Sequence, residues 1–361
     1  MTSRHIILTE VNNSNRTRAN QRKNLVSVIV PCFNAERTLS KCLDSLLAQD
    51  GAIPHIICVN DGSTDNTIAI LDEYHSKNPH TISVINQVNS GAWQARIAGL
   101  KAADSEFIMF LDSDDYAKPG FVKTMLDEIR SSRSDIVICG FERIDEKSGR
   151  VLSREFCTPL DPLKLPEDYG DLLKVNPAPW NKIFKSEVLT NLPCLQTKPV
   201  MLDDLCLLLL GLTHPISKIS FLPSSLVEYR VHPDSAINSA NIEQVYDAAI
   251  ALKEVRARFS NLGFHALEVL DSIAFCHLYI SMSFRLIEMK STISNELLSI
   301  VDKDFPLWRT SEYLTFRYAF SHGKAHIRAA AAAHLARSGI FNPALNVFSI
   351  IKKVQKKDIS W

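Results

Sequence analysis

Residues 107–115 read FIMFLDSDD, five apolar or aromatic residues followed at once by Asp112, Asp114 and Asp115. A run with no polar alternation suits a strand buried on both faces, as in a parallel sheet covered by helices. Open sheets of that kind collect ligands beyond the carboxyl ends of their strands, where this chain delivers three carboxylates. Carboxylates gathered so closely repel one another unless a cation neutralises them. Hard oxygen donors suit Mg²⁺ or Mn²⁺ holding a diphosphate. The competing reading is a polar loop whose aspartates cap a helix.

The sequence around this stretch repeats one rhythm. Val26–Val30 is a short β-branched run stopped by Pro31, and Leu39, Cys42, Leu43, Leu46 and Leu47 then recur at helical spacing within 35–49. His55–Val59 is a second strand, followed by a helix capped at Ser63, Thr64 or Asp65 and ending near His75. Ile82–Ile85, a helix over 91–103, strand Phe107–Leu111, a helix opened by Pro119 and strand Ile136–Phe141 complete the series. Strands alternating with helices imply right-handed crossovers and a mostly parallel sheet flanked by helices.

The rhythm stops after Phe141. Residues 142–155 read as a hairpin turning at Ser148-Gly149, and proline is frequent from Pro159 to Pro179. A helix near 200–212 and a strand over 226–231 follow, and from Ile242 onward the pattern is helical. The expected organisation is a polar, basic leader over 1–24, an α/β catalytic domain over 25–240 and a helical C-terminal region over 241–361.

Composition narrows the partners. Forty basic and forty acidic residues cancel, so no global field recruits nucleic acid. The two ends are basic and the middle is acidic by difference. The eight cysteines are scattered without any CxxC pair, which predicts reduced core residues of a cytosolic protein and no zinc site. Residues 1–24 lack the apolar segment of a signal peptide. The apolar run over 200–212 is too short to span a bilayer.

Polar residues collect at three strand ends: Pro31-Cys32-Phe33-Asn34, Asn60-Asp61-Gly62-Ser63-Thr64-Asp65 and Asp112-Ser113-Asp114-Asp115. Three βα junctions on one sheet edge make a nucleotide pocket. GxGxxG and GxxxxGK[ST] are both missing, so a metal is the natural holder of the phosphates.

VSVIVPCFN, ICVNDGSTDNT, NSGAWQARIAGLKAA and FIMFLDSDD, in this order, resemble the nucleotide-binding half of a family 2 glycosyltransferase with the GT-A fold. The likeness is strong over 26–141 and continues more weakly through WNKIF (180–184), Leu202-Asp203-Asp204 and the YRVHPDS segment (229–235). It implies that Asp61 contacts a uracil ring and that the backbone around Pro31 and Phe33 packs against the base. Asn34 and Ser113 join the same pocket. Asp112 and Asp114 match the DxD motif, with Asp112 near the ribose or metal and Asp114 on the metal. Arg96 matches an arginine of the family, although Ile97 replaces its usual asparagine neighbour.

The resemblance also implies a catalytic base on a helix after the sheet, here Asp204, with Asp203 beside it. The competing reading of this pair is a helix cap. His232 is expected on the metal or diphosphate. Asp115, Trp180, Asn181, Lys182 and Arg230 are expected around sugar and acceptor. The implied activity is metal-dependent, inverting transfer of a hexose or N-acetylhexosamine from a UDP-sugar to a glycan or lipid-linked glycan in cell-surface polysaccharide assembly. Two other classes compete: a sugar-1-phosphate nucleotidyltransferase, which would need a glycine-rich loop where PCFNAER stands, and a catalytically silent glycan-binding protein. Leu345, Phe348, Ile351 and Val354, with four lysines nearby, describe a helix over 341–357 that either docks on the protein or lies on the inner face of the plasma membrane.

Overall fold

Strand β1 (Val26–Cys32) is flanked by β2 (His55–Asp61) and β4 (Phe107–Phe110) in a computed structural model that describes residues 26–190, 192–232, 241–286 and 293–345. The expected leader over 1–24 lies outside these residues, as do 233–235 of the YRVHPDS segment and the expected helix over 341–357 beyond Leu345. Two units separate. One holds the described residues up to 162 with 178–192 and 218–232; the other holds 163–177, 193–217 and those beyond 233. The helical unit therefore includes two segments that precede residue 241.

The remaining strands are β3 (Ile82–Gln87), β5 (Tyr116–Ala117), β6 (Ile136–Asp145), β7 (Val151–Glu155), β8 (Leu163–Lys164), β9 (Lys182–Lys185) and β10 (Lys218–Val231). Within the first unit the order is β3-β2-β1-β4-β9-β6-β10-β5, with β7 on β6. β1 to β4 pair in parallel, and β10 runs parallel to β6; β5, β7 and β9 are antiparallel to their neighbours. β9 differs because no crossover helix leads into it. The side-by-side registers Val30 with Cys58 and Ile29 with Phe110 bring the carboxyl ends of β1, β2 and β4 to one edge.

The connecting helices are α1 (Leu39–Leu47), α2 (Thr67–Lys77), α3 (Ala92–Ala102), α4 (Phe121–Ser132) and the short α5 (Ser186–Leu189). Leu39, Cys42, Leu43 and Leu46 of α1 are all fully buried, as their spacing requires. α3 lies close against β1 because Gly99 has no side chain; a Cβ there would stand 2.4 Å from Ile29 Cγ2. α4 starts later than its sequence suggests. Gly120 takes the left-handed conformation at φ 79°, so Pro119 precedes the helix instead of opening it.

The second unit contains α6 (Asp203–Gly211), α7 (Ile242–Phe259), α8 (Phe264–Ala274), α9 (Met282–Leu286), α10 (Ile293–Asp304), α11 (Phe316–His322) and α12 (Lys324–Arg337). Asn241 is the N-cap of α7, and its side chain and that of Gln244 exchange hydrogen bonds of 2.9 and 3.2 Å with each other's backbone N–H. α8 runs into α9 through a π-helical segment, Phe275–Ser281. The buried Asp271 carboxylate holds this region by accepting from Arg256 at 2.7 and 3.0 Å and from the Leu307 N–H at 2.9 Å. Phe264–Leu286 is long and apolar enough to cross a bilayer, which short runs in the sequence did not suggest. It is also 72% buried inside the unit, as a core helix is. All eight cysteines are free; five are buried and Cys194 is exposed.

Candidate active site

The loops after β1 and β2 lock together by reciprocal bonds. Asn34, at φ 48°, accepts from the Thr64 N–H at 2.8 Å and donates its own N–H to Ser63 Oγ at 3.1 Å. Glu36 N–H donates to Asp65 at 3.0 Å, and Asn66 N–H donates back to Glu36 at 2.9 Å. Asn34 is thus a loop organiser, a role its turn propensity permits. Phe33, at the mouth of these loops, is 49% exposed. An aromatic ring left in water offers a flat apolar face on which a planar group can stack. Pro31, two residues earlier, is half-buried at the end of β1.

Asp61 ends β2, and its carboxylate accepts from Gln87 Nε2 at 2.7 Å, the Ser90 N–H at 2.8 Å and the Gly91 N–H at 2.8 Å. Its first duty in this structure is to shape the loop between β3 and α3. Gly62, at φ 70°, permits that closeness, since a Cβ there would meet Asn89 N at 2.6 Å.

Three carboxylates follow β4, and each faces a different partner. Asp112 accepts from the buried Arg96 guanidinium at 2.9 Å. Asp114 Oδ2 lies 2.9 Å from His232 Nε2, at the end of β10. Asp115 is fully buried; its Oδ1 accepts from the Arg230 N–H at 2.8 Å, while Oδ2 has no partner among the described residues. Burial, then the charge of Asp112, raises the Asp114 carboxyl above its usual range against the opposing pull of His232. Burial, then Asp114 and Asp112, raises Asp115 well above it. A site whose carboxylates resist ionisation in this way favours a bound cation. Asp112, Asp114 and His232 are an oxygen and imidazole donor set that fits Mg²⁺ or Mn²⁺, with the half-buried Ser113 between the two aspartates.

Among the described residues, a tighter group of potential ligand atoms, all within 4.8 Å, is His265, Glu268 and Glu312 of the helical unit. Its two surface members are what a solvated face of that unit carries.

Four sequence expectations change. Asp115 is sealed from solvent, so it supports β10 in place of contacting a sugar. Trp180 belongs to the core, stacked 5.2 Å from Tyr229 and set edge-on 4.6 Å from Phe141. Asn181 and Lys182 are fully buried: Asn181 Nδ2 donates to the Cys139 carbonyl at 2.9 Å, and Lys182 Nζ donates to the Ala178 carbonyl at 2.6 Å. Apolar neighbours and backbone carbonyls, not substrate, satisfy these three. Arg230 stays half-buried, with its guanidinium 5.2 Å above the Tyr116 ring and 3.5 Å from Glu228.

In the helical unit, Asp203 and Asp204 open α6 after Leu202, which sits at φ 55°. Both are half-buried, and Asp204 Oδ1 accepts from the Leu205 N–H at 2.8 Å. His277, which periodicity alone marks as a helix residue, stands on the π-helical segment. Burial lowers its imidazole to about 4, with Asp204 pulling the other way and Arg285 adding to the drop. π segments inside helices are frequent at functional sites, and nothing in sequence spacing announces one.

Comparison with known proteins fits this geometry. The model of glycosyl transferase family 2 matches residues 27–192. EpsJ and EpsH of Bacillus subtilis (strain 168), the first named an uncharacterized and the second a putative glycosyltransferase, are 29% and 30% identical to the chain. The aligned parts cover 63% and 65% of the chain and 69% and 68% of those proteins. The crystal structure of S. aureus TarS 1-349 in complex with UDP-GlcNAc superposes with a TM-score of 0.64 at 20% identity, covering 87% of this chain and 92% of that one. At that identity the likeness is one of fold.

Proposed function

The chain belongs to glycosyl transferase family 2 and is a glycosyltransferase with the GT-A fold, and on that premise we propose an inverting transfer from a UDP-sugar. The sugar is a hexose or N-acetylhexosamine, and the acceptor is a glycan or lipid-linked glycan of a cell-surface polysaccharide. The observation that carries this reading is at the end of β4, where Asp112 meets Arg96 and Asp114 meets His232, on the sheet edge where β1 also ends before the exposed Phe33. That TarS is recorded with UDP-GlcNAc supports a UDP-sugar donor.

Phe33 and the backbone at Pro31 receive the uracil, and Asp61 holds the loop that borders it. Asp112, Asp114 and His232 would hold Mg²⁺ or Mn²⁺, which would supply positive charge for the diphosphate. Arg96 fixes the Asp112 carboxylate. Asp204 takes the proton of the acceptor hydroxyl as that oxygen attacks the anomeric carbon from the face opposite UDP. The bond from the anomeric carbon to the UDP oxygen breaks, and its electron pair leaves with UDP. One displacement inverts the centre, so an α-linked donor gives a β-glycoside. The free cysteines fit work in a reducing cytosol, where UDP-sugars are made.

The test is release of UDP from a panel of UDP-sugars with Mn²⁺, with and without EDTA. Turnover of one donor that EDTA abolishes is expected. Glycan binding without turnover of any donor, unaffected by EDTA, would make the chain a silent binder instead.

A further inference from the structure

α11 and α12 pack against each other across Gly323, whose φ of 98° makes the turn. The inner side of α12 is a row of buried alanines, among them Ala329, Ala333 and Ala336. The outer side is built differently. Phe316 and Phe320 stack with ring centroids 6.1 Å apart, yet Phe316 is 39% and Phe320 75% exposed; Phe316 also lies 6.0 Å from the His334 ring. Arg317, Lys324 and Arg328 are exposed on the same two helices. From Tyr313 to Lys357 the sequence carries eight Lys or Arg and no Asp or Glu.

We propose that this face docks the chain on an anionic phospholipid bilayer. Two adjacent phenylalanines held in water are unfavourable, and at the boundary between headgroups and acyl chains they become anchors. The exposed Arg317, Lys324 and Arg328 of the same two helices attract anionic headgroups, although Glu312, Asp168 and Asp171 of the unit act on Tyr318 of α11. The same charge argues against other occupants. A second copy would bring an identical basic face against this one, and residues 346–361 carry four of those eight basic residues. Either would repel it. The surface is defined by residues of the helical unit alone and does not depend on the donor or the acceptor.

The full chain should co-sediment with vesicles of phosphatidylglycerol mixed into phosphatidylcholine and not with pure phosphatidylcholine, and added salt should release it. Lys324→Glu with Arg328→Glu should lower the partition coefficient on the order of tenfold or more. Phe316→Ser with Phe320→Ser should lower it on the order of tenfold. An unchanged helical circular dichroism spectrum and urea midpoint show that a variant is folded; if a double variant fails to fold, Phe320→Ser alone carries the same test. Equal binding to neutral and anionic vesicles overturns the proposal. So does wild-type binding by both variants, which would move the attraction to residues after 345. A fall in mass by light scattering in the variants would assign the face to a second copy and overturn it as well.

Discussion

Asp115 Oδ1 accepts a 2.8 Å hydrogen bond from the backbone N–H of Arg230, two residues before His232. The preceding aspartate and the residue two positions after Arg230 make the next rung, Asp114 against His232 at 2.9 Å. A buried rung therefore sets the distance of an accessible one. That arrangement makes Asp115 a positioning residue for the cluster although it reaches no ligand itself.

Asp115→Ala should leave the Arg230 N–H without its acceptor and cost about 1–3 kcal/mol of stability. It should also weaken UDP binding more in Mn²⁺ than in EDTA, because His232 loses its register with Asp114. Urea denaturation and calorimetric titration of UDP in both buffers read the two effects. An equal loss in both buffers would reduce Asp115 to a purely structural residue.

The pH dependence of the metal-free chain has a definite sign. Burial, with Asp114 and Asp112 nearby, raises the Asp115 carboxyl well above its usual range, so the folded chain keeps this proton after the unfolded chain has lost it. The contribution of Asp115 to stability therefore falls as pH rises from about 3.9 through the raised value, and returns as pH falls. Asp115→Asn has no such titration, and its stability profile in EDTA should be flatter across that window. Parallel profiles for the two chains would contradict the assignment.

Asp204→Asn should lower transfer by about 10²–10⁴ while UDP affinity is retained. Single-turnover rates with a hydrolysed donor, beside calorimetry with UDP, separate the two. Retained turnover would remove Asp204 as the base.

His277 supplies an independent test within the same helical unit. Burial lowers its imidazole to about 4, so between there and about 6.5 the unfolded chain binds a proton that the folded chain does not. Stability from this group is full above that window and is lost as pH falls through it. His277→Gln should soften the acid-side loss, which thermal melts at stepped pH would show.

Gly99→Ala should destabilise the sheet unit by about 1–3 kcal/mol, because its Cβ would press on Ile29. A lowered urea midpoint with unchanged slope is the expected reading.

The strands and helices around residues 26–141 were legible because buried parallel strands announce themselves as apolar runs and their helices by spacing. His232, far along the chain, meets Asp114, while Asp112 faces Arg96. WNKIF misled for a physical reason: a buried lysine and asparagine look like site residues in sequence, and only the carbonyls of Ala178 and Cys139 reveal how the core satisfies them. Asp61 shows the converse. Its three loop donors, Gln87, Ser90 and Gly91, are distant in sequence and individually unremarkable, so no local pattern marks them. The antiparallel β9 and the π segment at His277 depend on tertiary pairing and on one inserted residue of backbone, neither of which side-chain periodicity encodes.

The scattered thiols give the chain its own clock. Cys32, Cys42, Cys58 and Cys139 lie buried in the sheet unit and Cys206 in the helical one, all protected from alkylation while folded, whereas Cys194 is exposed. A brief alkylating pulse followed by mass spectrometry would tag Cys194 at once and the others only as each unit opens. The order in which the two groups of sulfur take the label reports which half of the enzyme comes apart first.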